Sequence, residues 1–325
     1  MHTSTRTALI AAGTAAAAAA IPLGIRAYVR TSCRPFYARA HQVGKIPGLD
    51  EGFVPQDLFY LDTYHTWLFS GYMNDGSPSP IYTLRPGNKP HRLTVKLPDG
   101  AVYTGHGAAV TAAGDFVFLT VRNGYVVLRA STVAEAGPYA SVAARAYVPT
   151  PLTPAFMIAQ NDALYLGEFY EPFFYSTPRS HHITTPGGAR NPALMLAYQT
   201  SCTEPFGFAR TPARCFSIPA RVQGMCFTDE GAHLVLSCAW GFGDAHLLVY
   251  DTARFTTDGT FAIDGQQVPL TCLDERSLVK QLRVPPMAEG IDEHNGEVFL
   301  ANEAASKRYL IGRFYGGGVV YRLPL

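Results

Sequence analysis

Short runs rich in apolar, β-branched and aromatic side chains recur along the chain, each broken by a cluster of turn-forming residues. Examples are FVPQDLFYL (53–61), TWLFSGYM (66–73), DFVFLTV (115–121), ALMLAYQT (193–200), AHLLVYD (245–251) and GEVFLANEA (296–304). Runs this short, bounded by turn residues, predict strands rather than helices. NDGSPSP (74–80) is a strong turn cluster, and Asn123-Gly124 is a two-residue hairpin signal.

A longer repeat lies over these runs. A β-rich stretch ends in proline, and a polar residue follows just before or inside the next apolar strand. The aligned prolines are Pro47, Pro98, Pro149, Pro219 and Pro285, at steps of 51, 51, 70 and 66 residues. Such a period in an all-β chain predicts a β-propeller, with one four-stranded blade per period. Blade 1 then takes 53–98 and blade 2 takes 107–149, with ASVAARAYVP as its outer strand. Blade 3 takes 155–219, with a long loop at Glu171–Pro192. Blade 4 starts at Val222 and contains LDERSLVKQL (273–282), a segment of helical character. Blade 5 runs out of chain after three strands, so the region Ala38–Pro47 is expected to supply the fourth and close the ring. Closure removes the edges that an open sheet would expose. Five blades fit best; six fit if the insertions of blades 3 or 4 hide another sheet.

The N-terminus reads differently. Ala8–Ile25 is an uncharged, alanine-dominated run, followed by Arg26, Arg30 and Arg34. This predicts a segment at 1–35 that exports the chain, either cleaved near Ala18–Ala20 or retained as a membrane anchor. The propeller domain is expected at 36–325, secreted or held on the outer side of the cytoplasmic membrane. Net charge is +1, with 26 basic and 25 acidic residues and no basic stripe, which argues against a nucleic-acid partner.

Six cysteines suit an oxidising compartment. Cys202 and Cys215 flank a short segment that a disulfide would staple. Cys226 and Cys238 lie on successive strands, but a turn at Asp229–Ala232 sets Cys226 opposite Val235. No C-x-x-C pair suggests a metal knuckle.

In a propeller the starts of the innermost strands and the ends of the second strands share one face. That rule gathers Gln56, His106, Gln223 and Glu289 at the inner ring, and Tyr72, Asn123, Glu168, Trp240 and Glu303 at the outer. Convergent polar groups on a rigid concave face suit a small molecule, a glycan or a protein partner. His106 and Glu289 are candidates for an acid–base pair. Glu289, Glu303 and Glu168 are alternatively oxygen ligands for one divalent cation such as calcium, with Glu289 foremost. The competing reading is that these groups bind one another and ordered water, tying the blades together. His181-His182 falls in a loop, Ser176–Asn191, expected to be mobile and to lie over or beside this face. No G-x-S-x-G elbow, P-loop or dinucleotide glycine pattern occurs.

SIPARVQGMCFTDEGAHLVLSCAW, RVPPMAEGIDEHNGEVFLANEAA and FVPQDLFYL resemble stretches of exported bacterial β-propeller proteins, a largely uncharacterised group. The layout of 36–325 is similar, more loosely, to the gluconolactonase and strictosidine-synthase-like propellers. That resemblance implies an axial metal held by a glutamate, which by position is Glu289, with the Asn/Asp ligands unmatched here. The expected function is therefore an exported binding module with its ligand on the polar channel face. A calcium-type hydrolase of lactones or esters is the alternative.

Overall fold

The computed structural model describes residues 21–325, in which five β-sheets ring a central axis. Each blade begins with its innermost strand and works outward. Blade 1 opens with Phe53–Leu61 and Thr66–Met73, blade 2 with Val110–Ala113 and Phe116–Val121, and blade 3 with Phe156–Gln160 and Ala163–Gly167. Blade 4 opens with Val222–Thr228 and His233–Cys238, and blade 5 with Ala288–His294 and Glu297–Asn302. The ring closes as anticipated. His41–Lys45 pairs antiparallel with Val319–Leu323, completing blade 5 from the other end of the chain. The repeated prolines lie at or just after the ends of the outer strands, where the chain crosses to the next blade.

Three expectations need correction. Ser141–Ala143 does not continue the outer strand of blade 2; it adds a fifth, parallel strand to blade 1, beside His91–Lys96. The insertion of blade 4 does not hide a sixth blade. Its hairpin, Gly259–Ile263 with Gln266–Cys272, joins the outer edge of blade 3. LDERSLVKQL is not helical: Asp274–Ser277 form a turn, and Leu278–Val284 is the outer strand of blade 4. The charges of the turn are used in pairing, because Arg276 binds both Asp274 and Asp258 at 2.9 Å.

Apolar faces of neighbouring blades meet in four buried clusters. One such cluster, holding Leu68, Leu93, Val117, Leu119 and Val126, lies between blades 1 and 2. Seams are also latched by hydrogen bonds to the free edges of the innermost strands. Asp57 accepts from Val110 N, Thr111 Oγ1 from Ala159 N, Gln160 Oε1 from Phe227 N, and Asp292 from Tyr60 N, at 2.7–2.9 Å. Each bond runs from one blade to the next, so a buried donor that would otherwise be orphaned is satisfied. Between blades 4 and 5 the backbones approach closely instead: a Cβ on Gly224 would fall 2.8 Å from Gly290 Cα.

The apolar N-terminal run lies mostly outside the described residues. Residues 21–32 are helical, and Arg34–Tyr37 forms a further short turn of helix. Val29, Cys33 and Phe36 are buried in the core shared by blades 3 to 5. No described helix is long and apolar enough to cross a membrane.

All six cysteines are free. The Cys202–Cys215 staple does not form, because Cys215 points into the blade 2–3 core while Cys202 sits exposed in a turn. Cys226 does lie opposite Val235.

Candidate functional site

Gln56, Gln223 and Glu289 share a local device. At each, the ladder between the two innermost strands slips: between Pro55 and Asp57, between Val222 and Gly224, and between Ala288 and Ile291. A β-bulge releases a residue from pairing and re-aims its side chain. Here the three bulges bring the side chains together at the axis.

His106 arrives from a different element, the segment Thr104-Gly105-His106-Gly107 ahead of blade 2. Gly107 has φ of +58°, and a Cβ there would lie 2.7 Å from the Gly71 carbonyl. Gly105 packs as tightly on the Tyr103 ring, whose hydroxyl accepts the Gly107 N–H at 2.9 Å. Two glycines thus let the chain wrap Tyr103 and present His106 at the mouth.

The side chains form one chain of hydrogen bonds. Gln56 Nε2 donates to Glu303 Oε2 at 3.1 Å and to the Pro55 carbonyl at 3.0 Å. Its Oε1 therefore faces His106 Nε2, 2.5 Å away. That assignment puts the imidazole proton on Nε2 and leaves Nδ1 as a bare acceptor. Among the described residues no donor reaches Nδ1. Gln223 Nε2 donates to Glu289 Oε1 at 3.4 Å, and the Glu289 and Glu303 carboxyls lie close enough to act on each other's ionisation.

Electrostatics fix the protonation of this group. Burial, followed by the charge of Glu303, pushes the Glu289 carboxyl far above its usual range. Glu303 is raised to about 7, burial outweighing the hydrogen bonds from Gln56 and Glu289 and the attraction of Arg308. Two adjacent buried carboxyls cannot both ionise, so the pair shares one proton near neutrality, held by Glu289. His106 is pushed down to about 4 by the surrounding protein and by Arg308. Its edge is open to solvent although protein walls it on most sides, and it is neutral at pH 7.

Sequence reasoning missed two residues of this site, Arg308 and Tyr309. Both lie on the loop between Asn302 and Val319 of blade 5. Arg308 Nη1 donates to the Tyr72 hydroxyl at 3.1 Å, and Tyr72 stacks on His106 with ring centroids 4.7 Å apart. Tyr309 lies close enough to Glu303 for the two to raise and lower one another's pKa. The Lys-Arg-Tyr cluster (307–309) in a long connection off the channel face was the available signal.

Asn123, Glu168 and Trp240 take no part in this network. Asn123 sits in the blade 2 hairpin with φ of 58° and accepts from Thr153. Glu168 accepts from Leu194 N and pairs with His181 Nδ1 at 2.8 Å. Trp240 stands among Phe169, Phe174 and Tyr175, with centroids 5.5–5.7 Å away. The loop carrying His181 lies beside blade 3 and is pinned there: Asn191 donates to the Ser217 and Leu273 carbonyls at 2.9 Å.

The donor set around Glu289 does not fit the expected calcium site. Calcium takes six to eight oxygens. Glu289 and Glu303 share a proton, and the amides of Gln56 and Gln223 turn their nitrogens toward them. Among the described residues no three His, Cys, Asp or Glu side chains converge as metal ligands.

No protein-family model and no curated protein matches the chain. Similar solved structures include a putative oxidoreductase (glucose dehydrogenase) from Thermus thermophilus. It is 14% identical, with 88% of this chain and 99% of that one covered, at a TM-score of 0.47. A putative 6-phosphogluconolactonase from Bacteroides uniformis is 11% identical, covering 73% and 61%, at 0.38. The β-propeller domain of Cps50 (Swd1) from Myceliophthora thermophila is 8% identical, covering 84% and 97%, at 0.36. Proteins described as a putative glucose dehydrogenase and a putative 6-phosphogluconolactonase are thus among the similar structures. None of these likenesses carries an argument about activity.

Proposed function

We propose that the protein is a binding module that takes a small, uncharged, hydroxylated ligand of the sugar type at the channel mouth. The observation that carries this is the mixed and partly unused hydrogen-bonding capacity of the mouth. His106 Nδ1 and the Glu303 carboxylate accept; Arg308 and the tyrosine hydroxyls donate. A hydroxyl group does both at once. An anion would meet Glu303 and a cation would meet Arg308, so a neutral polyhydroxylated molecule fits best. The ring residues also bind one another, which holds them rigid before a ligand arrives. Export belongs to the same reading, supported by the uncharged run Ala8–Ile25.

Thermal-shift measurement with neutral mono- and disaccharides, gluconate and glucosamine tests the proposal. A neutral sugar should raise the melting temperature of the parent protein and leave His106→Ala and Glu303→Gln unmoved, both folded by circular dichroism. No shift from any neutral sugar, or equal shifts in both variants, contradicts it. Lactone or ester hydrolysis abolished by EDTA and restored by calcium would overturn it in favour of a metal-dependent hydrolase.

A further inference from the structure

We propose that the channel face of this propeller docks on a lipid bilayer, with the aromatic loops of blades 3 and 4 at the interface. The observations behind it are separate from those made at the mouth. It starts from the direction of the N-terminal helix. Tyr28 accepts a 3.3 Å hydrogen bond from Arg283, which pairs across the ladder with His246 at the channel-face end of blade 4. The chain then descends to His41, opposite Arg322 near the far end of the last strand. The helix of residues 21–32 therefore leaves the propeller on the channel side. Val29, Cys33 and Phe36 are buried, whereas Ile21, Leu23 and Tyr28 are 63–65% exposed. The sequence before them, Ala8–Ala20, carries no charge.

The same face holds an exposed aromatic patch. Phe173 is 88% exposed, Phe174 72%, and Tyr175 and Phe242 51% each; Phe174 and Tyr175 pack on Trp240, and Phe173 and Phe242 adjoin them in the chain. Contiguous exposed apolar surface marks an interaction site. Aromatic rings are favoured at the headgroup level of a bilayer. A lipid surface is chosen as occupant because the described helix, residues 21–32, points to this side and the sequence ahead of it carries no charge from Ala8 to Ala20.

The two tryptophans make the orientation measurable. Trp240 stands in the patch. Trp67 is the second residue of Thr66–Met73 in blade 1, at the end of that strand opposite the channel face, which lies about 20 Å further along it at about 3.3 Å per residue. The full chain, residues 1–325, is reconstituted with phosphatidylcholine–phosphatidylglycerol vesicles containing brominated lipid. Trp67→Phe leaves Trp240 as reporter, and Trp240→Phe leaves Trp67. Trp240 should be quenched several-fold more strongly than Trp67. The double variant Phe173→Ser/Phe174→Ser, read in Trp67→Phe, should lose more than half of that quenching while still floating with vesicles. Should Trp240→Phe fail to fold, a fluorophore on Cys202, exposed on the opposite face, reports in place of Trp67. Equal quenching at both faces, none at Trp240, or no effect of the double variant overturns the proposal.

Discussion

Asp292 of the last blade accepts a 2.7 Å hydrogen bond from the backbone N–H of Tyr60 in the first, so a buried carboxyl seals the seam at which the ring closes. Burial raises its pKa to about 8, against the lowering effect of its backbone hydrogen bonds. Glu303 is raised to about 7. Both bind protons in the folded state that the unfolded chain releases near pH 4, so their contribution to stability is lost as pH rises toward those values. His106 has the opposite sign: lowered to about 4 from 6.5, it makes stability rise with pH between those two values. Above pH 6.5 only the carboxyls remain. Calorimetry should show a melting temperature that falls from pH 6.5 to 9, with a shallower fall in Asp292→Asn and in Glu303→Gln. A flat profile in the parent protein would contradict this.

Gly290 lies directly against that seam. A Cβ there would sit 1.8 Å from Asp57 Oδ1 and 2.5 Å from Asp57 Cα. Backbone and a fully buried carboxylate cannot both move aside. Gly290→Ala should therefore destabilise by roughly 3 kcal/mol, in the upper range for overpacking, as read by urea unfolding. A loss within experimental error would mean that the inner strands are less closely apposed.

Gln160 bridges blades 3 and 4 by accepting from Phe227 N at 2.8 Å and donating to Phe227 O at 3.0 Å. Gln160→Ala leaves two backbone groups unpaired at the seam, at about 1–3 kcal/mol for a buried orphan. Urea midpoints should fall accordingly, with Thr111→Val, which orphans Ala159 N, showing a similar but single loss.

The thiols offer a check on the fold without any substitution. Cys202 is exposed, while the other five cysteines are buried. Burial raises the pKa of Cys33, Cys215, Cys226, Cys238 and Cys272, which further slows alkylation. Iodoacetamide should label one thiol in the native protein and six after denaturation without reductant. A Cys202–Cys215 disulfide would leave four.

The propeller was legible because strand length, turn residues and the proline repeat all point the same way. The innermost strand Phe53–Leu61 and its partner Thr66–Met73 coincide with the runs read from sequence. What escaped were the additions at blade edges. Ser141–Ala143 and Gln266–Cys272 join sheets in parallel, by pairings that no local periodicity encodes. Gln56, His106, Gln223, Glu289 and Glu303 could be placed on one face because strand starts and ends define it. The bulges that turn three of them inward could not be read, since a one-residue slip leaves no mark in composition. Asn123, Glu168 and Trp240 sit at the same level, but their own turns and loops engage them.

The shared proton of Glu289 and Glu303 is the central claim, and a carbon-13 NMR titration of glutamate-labelled protein tests it most directly. The account predicts one carboxyl titrating near pH 7, a second remaining protonated well above it, and the disappearance of the first signal in Glu303→Gln. If both carboxyls titrate near the ordinary glutamate value of 4.5, the pair is solvated or separated and the mouth is not organised as described.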